Sequence, residues 1–207
     1  MKNIIEHFQF QKSNVIKSFF QLFLFICLSF FFVFAICSGV LRVSEYVVDN
    51  WFMFDNAEYI LHNGFPNEDF ITMHEGMHYM APQWLFAVLM YVFKNMGGYA
   101  VSIFMFSVFL CLFAVQIQNM RLIGNQDGKS TLLVCFLSGV FMLYHLVCRP
   151  FVVTVLLGCT MIFLIEKWIQ TKQWKWLAGI PVLSVLQINF HNSLWVSLYL
   201  ILLCYLA

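Results

Sequence analysis

The sequence predicts an all-α fold, a multi-spanning membrane bundle of about six transmembrane helices with a long structured loop after the first. Three observations point there. Charged residues make up 10% of the 207-residue chain, apolar residues make up 62%, and the apolar residues fall in long uninterrupted runs. A soluble domain carries about 25% charged residues, so this chain has too few to cover a water-facing surface. That excludes a soluble enzyme, a nucleic-acid-binding domain and a disordered tail. The formal net charge of +1 offers no polyanion-binding signal.

The first run, Phe19 to Leu41, has 23 residues and no charge. At about 1.5 Å per residue it reaches roughly 34 Å, enough for a hydrocarbon core of about 30 Å. It exceeds the apolar stretch of a secretory signal, so it reads as an uncleaved anchor. Further spans are expected at Gly98–Asn119, Thr131–Cys148, Phe151–Glu166, Trp174–Phe190 and Ser193–Ala207. Arg149-Pro150 separates the third from the fourth, because proline disfavours helix continuation. The whole chain reads as one transmembrane domain. Residues 1–18 form its N-terminal segment, 19–41 the first span, 42–97 an outer loop and 98–207 the remaining spans. Its last residues, LYLILLCYLA, stop inside an apolar run, as expected for the front part of a longer protein. Seven cysteines without a Cys-x-x-Cys pair read as small packing residues rather than a disulfide framework.

Lysine and arginine placement sets the orientation. With a cytoplasmic N-terminus, Lys2, Lys12, Lys17, Arg121, Lys129, Lys167, Lys172 and Lys175 lie inside, and only Arg42, Lys94 and Arg149 lie outside. Eight against three favours that arrangement, with the functional face extracytoplasmic. The outer loop then holds most of the acids and its own helices. One short helix is expected over Phe54–His62, ended by Asn63-Gly64 and Pro66. The apolar stretch Trp84–Phe93 is too short to span and should lie at the interface. Long structured loops are usually functional.

Polar groups gather on this outer side. Asp49 and Asp55 follow the first span, His145 and Arg149 share one face at i and i+4, and Gln187, Asn189, His191 and Asn192 end the fifth span. Ionisable groups at membrane depth are costly and generally face a cavity or a partner. The competing reading is that Arg149 and His191 only snorkel to the interface.

From Asp49-x-Trp51 through Tyr59-Ile60-Leu61, Gly64-x-Pro66 and Asp69-Phe70-x-Thr72, the chain resembles the first outer loop of bacterial GT-C-type integral-membrane glycosyltransferases. Gln83-Trp84-Leu85, Gly97-Gly98-Tyr99, Arg149-Pro150 and Asn189-x-His191 follow in the order found in that family, over roughly residues 30–195. Many relatives carry glycine where this chain has Asn192. The resemblance implies an integral plasma-membrane enzyme. It would move a sugar from a polyprenyl-phosphate donor to a glycan or protein acceptor on the extracytoplasmic face. Within that reading Arg149 holds the lipid phosphate through paired hydrogen bonds. Asp49 serves as base for the acceptor hydroxyl, against the alternative that it caps the following helix. Asp55 and Asp69 are second choices, as partners of Asp49 or as ligands for a divalent cation. His145, Asn189, His191 and Trp84 bind the substrate.

A second motif competes. His74-Glu75-Gly76-Met77-His78 matches the His-Glu-x-x-His zinc signature of metalloproteases. That chemistry needs both imidazoles on one helical face with the glutamate activating water. Gly76 inside the motif and Pro82 just after it argue against the helix, and a polar loop is the preferred reading. A non-catalytic membrane protein is the third possibility.

Overall fold

The computed structural model describes residues 48–71, 76–80, 83–97, 100–124, parts of 130–138, and 149–206, with side chains from Trp51 onward. The expected first span at 19–41 and most of the third lie outside the described residues. All regular structure among the described residues is helical apart from an isolated bridge between Glu68 and His78.

Helix α1 runs Val48–Asn63 and α2 runs Trp84–Met96. Both are longer than the sequence pattern indicated. Helix α1 starts six residues before Phe54 because Val48 to Met53 continues the run without a breaker, and it ends where expected. Gly64 takes φ +80 there, which glycine adopts without the steric cost a Cβ would bring. The two long helices are α3, Ala100–Leu122, and α4, Phe151–Thr171. With about 1.5 Å of rise per residue they reach roughly 34 and 31 Å, long enough to cross a bilayer. Between them, residues 130–131, 133–135 and 137–138 are also helical.

The expected fifth and sixth spans are not single long helices in the structure. Trp174–Trp176 forms a short 3-10 turn, and only Gly179–Phe190 is α-helix, here α5. A second 3-10 turn, Asn192–Leu194, precedes α6 at Val196–Leu206. Helix α5 by itself is shorter than a bilayer's width. The sequence shows why. The Trp-Lys-Trp stretch at 174–176 cannot sit in hydrocarbon, and His191-Asn192-Ser193 supplies polar side chains that compete for backbone hydrogen bonds.

Helices α3 and α4 form the most extensive pairing, followed by α1 on α2 and α5 on α4. Asn119 in α3 donates to the Cys159 carbonyl at 2.8 Å, and Gln170 near the end of α4 donates to the Leu122 carbonyl at 2.8 Å. The two long helices therefore run parallel, and their C-terminal ends meet. One face of α3 (Val101, Met105, Leu112) enters the core with Phe86, Met90, Val152 and Met161. The opposite face keeps Ile103 and Leu110 exposed. Only a third of the most apolar window of each long helix is buried. A helix apolar on all sides, with its outer side uncovered, fits an apolar solvent better than water.

Candidate functional site

The C-terminal end of α5 is held by a buried polar cluster. Gln187 and His191 lie four residues apart, so they share a face. The His191 N–H donates to the Gln187 carbonyl at 2.8 Å, and the Gln187 amide returns a bond to the His191 carbonyl at 3.3 Å. The same Gln187 Nε2 donates to Thr154 Oγ1 at 3.1 Å, and Thr154 Oγ1 lies 2.9 Å from His191 Nδ1. Gln187 is fully buried and Thr154 nearly so.

This arrangement links the imidazole tautomer to the threonine hydroxyl. The hydroxyl accepts from Gln187, which leaves its own hydrogen for either His191 Nδ1 at 2.9 Å or the Pro150 carbonyl at 3.3 Å. In the first case Nδ1 accepts and the ring proton sits on Nε2; in the second Nδ1–H donates to the hydroxyl oxygen. Burial also holds the His191 pKa below its ordinary value, which favours the neutral ring. Gln187 Oε1 is buried and has no hydrogen-bond partner among the described residues.

Thr154 stands one turn into α4, its N–H bonded to the Pro150 carbonyl at 3.0 Å. The Arg149-Pro150 turn and His191 therefore lie at the same end of the bundle, with Arg149 exposed and Pro150 buried. Two residues before His191, the Asn189 side-chain oxygen accepts the indole N–H of Trp84 at 2.7 Å. Its amide nitrogen is anchored on the Val185 carbonyl at 2.7 Å. Trp84 opens α2, and the Phe65 ring meets its indole edge-on, with centroids 5.0 Å apart.

The loop between α1 and α2 is pinned next to Trp84. Asp69 N–H donates to the Met77 carbonyl at 2.8 Å, and Asp69 Oδ1 accepts the Ile71 N–H at 2.9 Å. Phe70 stacks on Tyr59 at 3.9 Å and leans on Tyr79 at 5.6 Å. The Tyr79 hydroxyl donates to Asn56 Oδ1, while the Asn56 amide donates to the Phe52 carbonyl at 2.8 Å. Burial, with the Asp69 charge adding to it, pushes the Tyr79 pKa up to about 12. Tyr79, Asn56, Phe52, Gln83 and Trp84 border a small open depression.

The structure thus gathers Trp84, Asn189, His191 and the Arg149-Pro150 turn at one end, with Asp69 beside Tyr79 next to it. Asp49 sits in the first turn of α1. The residues just after it reach two parts of α2: the Lys94 ammonium lies over the Trp51 and Phe54 rings at 5.2 and 4.3 Å, and Phe52 borders the depression beside Trp84. Asp55 is exposed on α1. His145, His74 and Glu75 lie outside the described residues. His78 is exposed and extended, bridged to Glu68 instead of sitting on a helix. Among the described residues no three His, Cys, Asp or Glu side chains gather as a metal site.

Sequence reasoning missed Thr154, Asn56 and Tyr79. For Thr154 a signal existed, since it is the hydroxyl that falls one turn after Arg149-Pro150 in an otherwise apolar helix. Asn56 and Tyr79 carried none, because their partnership is set by how the loop folds back on α1. No protein-family model matches the chain, and no curated protein or solved structure is similar to it.

Proposed function

We propose that this chain is a membrane glycosyltransferase that takes a sugar from a polyprenyl-phosphate donor and works at an extracytoplasmic lipid–water boundary. The reading includes a cytoplasmic N-terminus and the span at 19–41. The two long helices α3 and α4 support the membrane part, since most of their apolar surface is uncovered.

The single observation that carries the transferase part is the junction of Arg149-Pro150, Thr154, His191 and Asn189 at one end of α4 and α5. An anionic lipid phosphate needs a cation at the interface and donors nearby. Arg149 supplies the guanidinium, and in the tautomer whose Nδ1 accepts from Thr154 the His191 Nε2–H is left as a donor. Trp84, fixed by Asn189, offers an apolar ring face of the kind that packs against a sugar. In the displacement, the acceptor hydroxyl attacks the anomeric carbon, its proton passes to a carboxylate, and the lipid phosphate departs with the bonding electrons. Of the three acids, Asp69 has the position that best suits the base, since it lies on the Tyr79–Trp84 side. Asp49 is the second choice. A divalent cation assisting the leaving phosphate would draw on these same acids.

The test is transfer of sugar from a polyprenyl-phosphate donor by the full chain in membranes. Arg149→Gln is expected to lower transfer by about 10- to 100-fold, the worth of a charge-assisted contact. Asp69→Asn should abolish it at unchanged protein level. Normal transfer in both variants would overturn the reading.

A further inference from the structure

The opposite end of α4 carries a second polar surface that the transferase site does not use. Helix α4 ends at Thr171, and Lys172 closes it at φ 55, its N–H bonded to the Trp168 carbonyl at 2.7 Å. That left-handed residue turns the chain sharply, so the following Trp174–Trp176 turn folds back beside the end of α4. The result is an alternation of cations and rings. Lys172 Nζ lies over the Trp168 ring at 5.2 Å, and Trp168 leans on Trp174 at 6.1 Å. Lys175 Nζ lies over Trp176 at 5.3 Å, Trp176 meets Phe163 edge-on at 6.1 Å, and Lys167 Nζ lies over Phe163 at 5.7 Å. Gln170 brings the end of α3 alongside, which adds Arg121.

Four cations thus share one end of the two long helices, with Glu166 the one acid on α4. The Glu166 carboxylate already accepts the Tyr205 hydroxyl at 2.6 Å. Trp174 is 74% exposed, a large apolar ring left in the open next to exposed Lys172 and Lys175.

We infer that this turn is a docking surface for the phosphate headgroups of acidic phospholipids in the leaflet at that end. Charge and shape argue for that occupant together. Indoles settle at the headgroup level, where one side is apolar and the other wet. A lysine stem can follow the ring into that layer while its ammonium stays with the phosphates. A cation–π contact leaves the other side of each ammonium open to an anion. A neutral protein surface would leave the four cations without counter-charge, and a nucleic acid would leave Trp174 without a ring-depth apolar partner. The inference rests on the membrane part of the reading above and is independent of sugar transfer.

The test uses the full chain reconstituted in phosphatidylcholine vesicles with or without phosphatidylglycerol. Bromine-labelled acyl chains are placed on one lipid or the other at equal density, and tryptophan fluorescence is recorded for the wild type and for Trp174→Phe. The difference reports the lipid next to Trp174. Each cation near the surface is expected to enrich the acidic lipid about fivefold. Brominated phosphatidylglycerol should therefore quench the Trp174 signal more strongly than brominated phosphatidylcholine. Lys172→Gln with Lys175→Gln, or high salt, should equalise the two. Equal quenching by both lipids in the wild type overturns the headgroup surface and leaves the membrane reading intact. Absence of quenching by either overturns both.

Discussion

The indole N–H of Trp84 donates to the side-chain oxygen of Asn189 at 2.7 Å, joining positions 105 residues apart in the chain. This bond ties α2, in the outer loop, to the end of α5, where His191 begins the polar cluster. Asn189 is committed on both sides, since its amide nitrogen holds the Val185 carbonyl. Its oxygen therefore faces the indole without ambiguity.

Removing either partner should uncouple the loop from the bundle. Trp84→Phe keeps the ring and loses the donor, which should cost about 1 kcal/mol in a detergent unfolding measurement. Asn189→Leu leaves the indole N–H unpaired and should cost about 1–3 kcal/mol. The double variant should cost less than the sum of the two. Strict additivity would mean that the contact contributes nothing.

The helical class and the existence of α2, α3 and α4 were legible because long apolar runs bounded by Gly97, Arg149-Pro150 and a charged stretch admit few other structures. The ends of α3 and α4 were read short, at Asn119 and Glu166, where polar residues appear. A helix continues past such residues when it projects from the apolar layer, as Arg121 and Lys167 do. The sequence named Trp84, Asn189 and His191 singly as substrate-binding candidates, and the structure places Trp84 on Asn189, two residues from His191. Asp49 marks the limit of sequence reasoning, since its distance from Arg149 and His191 depends on how α1 packs on α2, which no sequence pattern sets. Thr154 shows another limit, because its spacing after Arg149-Pro150 marks the hydroxyl but not the helix it meets.

Thr154 holds both Gln187 and His191, so its loss should exceed that of an ordinary hydroxyl. Thr154→Val keeps the shape and removes the hydroxyl that accepts from Gln187 and pairs with His191 Nδ1. Leaving a buried amide unpaired should cost about 1–3 kcal/mol. Thr154→Ser keeps the oxygen and should recover most of that. In a transfer assay the valine variant should lose activity through a freed imidazole tautomer, and the serine variant should not. Equal behaviour of the two would remove Thr154 as a positioning residue.

His191 makes the junction sensitive to acid. Its folded pKa lies below the ordinary value of 6.5 because burial opposes the charged ring. Above pH 6.5 the ring is neutral whether folded or unfolded, and its contribution is complete. As pH falls below 6.5 the unfolded chain binds the proton first, so stability declines until pH passes the lowered folded pKa. In the protonated ring Nδ1 can only donate, and the Thr154 hydroxyl then gives its hydrogen to the Pro150 carbonyl. Thermal midpoints measured from pH 7.5 to pH 5 should fall in the wild type. His191→Gln should flatten that decline, and an unchanged slope would place the acid sensitivity elsewhere.

Tyr79 anchors the loop through the nearly buried Asn56. Tyr79→Phe leaves Asn56 Oδ1 without its donor and should loosen the loop by about 1–3 kcal/mol. Proteolysis within residues 64–82 would report it as faster cleavage at unchanged helix content. Because the folded tyrosine titrates at about 12 instead of 10, its contribution is complete below pH 10 and is lost as pH rises through 12. The phenylalanine variant should lack that alkaline loss.

Gly158 seats the last helix on α4. A Cβ built there would stand 3.3 Å from Ile201 Cδ1 on α6, tight against the end of a side chain that can move. Gly158→Ala gains helix propensity of about 1 kcal/mol and displaces one methyl by a few tenths of an ångström, so the two effects should nearly cancel. Gly158→Leu has no such room. It should cost about 1–3 kcal/mol by overpacking and push α6 away from α4. The Tyr205–Glu166 bond at the far end of α6 would then have to stretch or break. Cleavage in the 191–195 connection should rise for the leucine variant and stay at the wild-type level for alanine. If leucine is tolerated as well as alanine, α6 does not rest on Gly158, and its position depends on the Tyr205 contact alone.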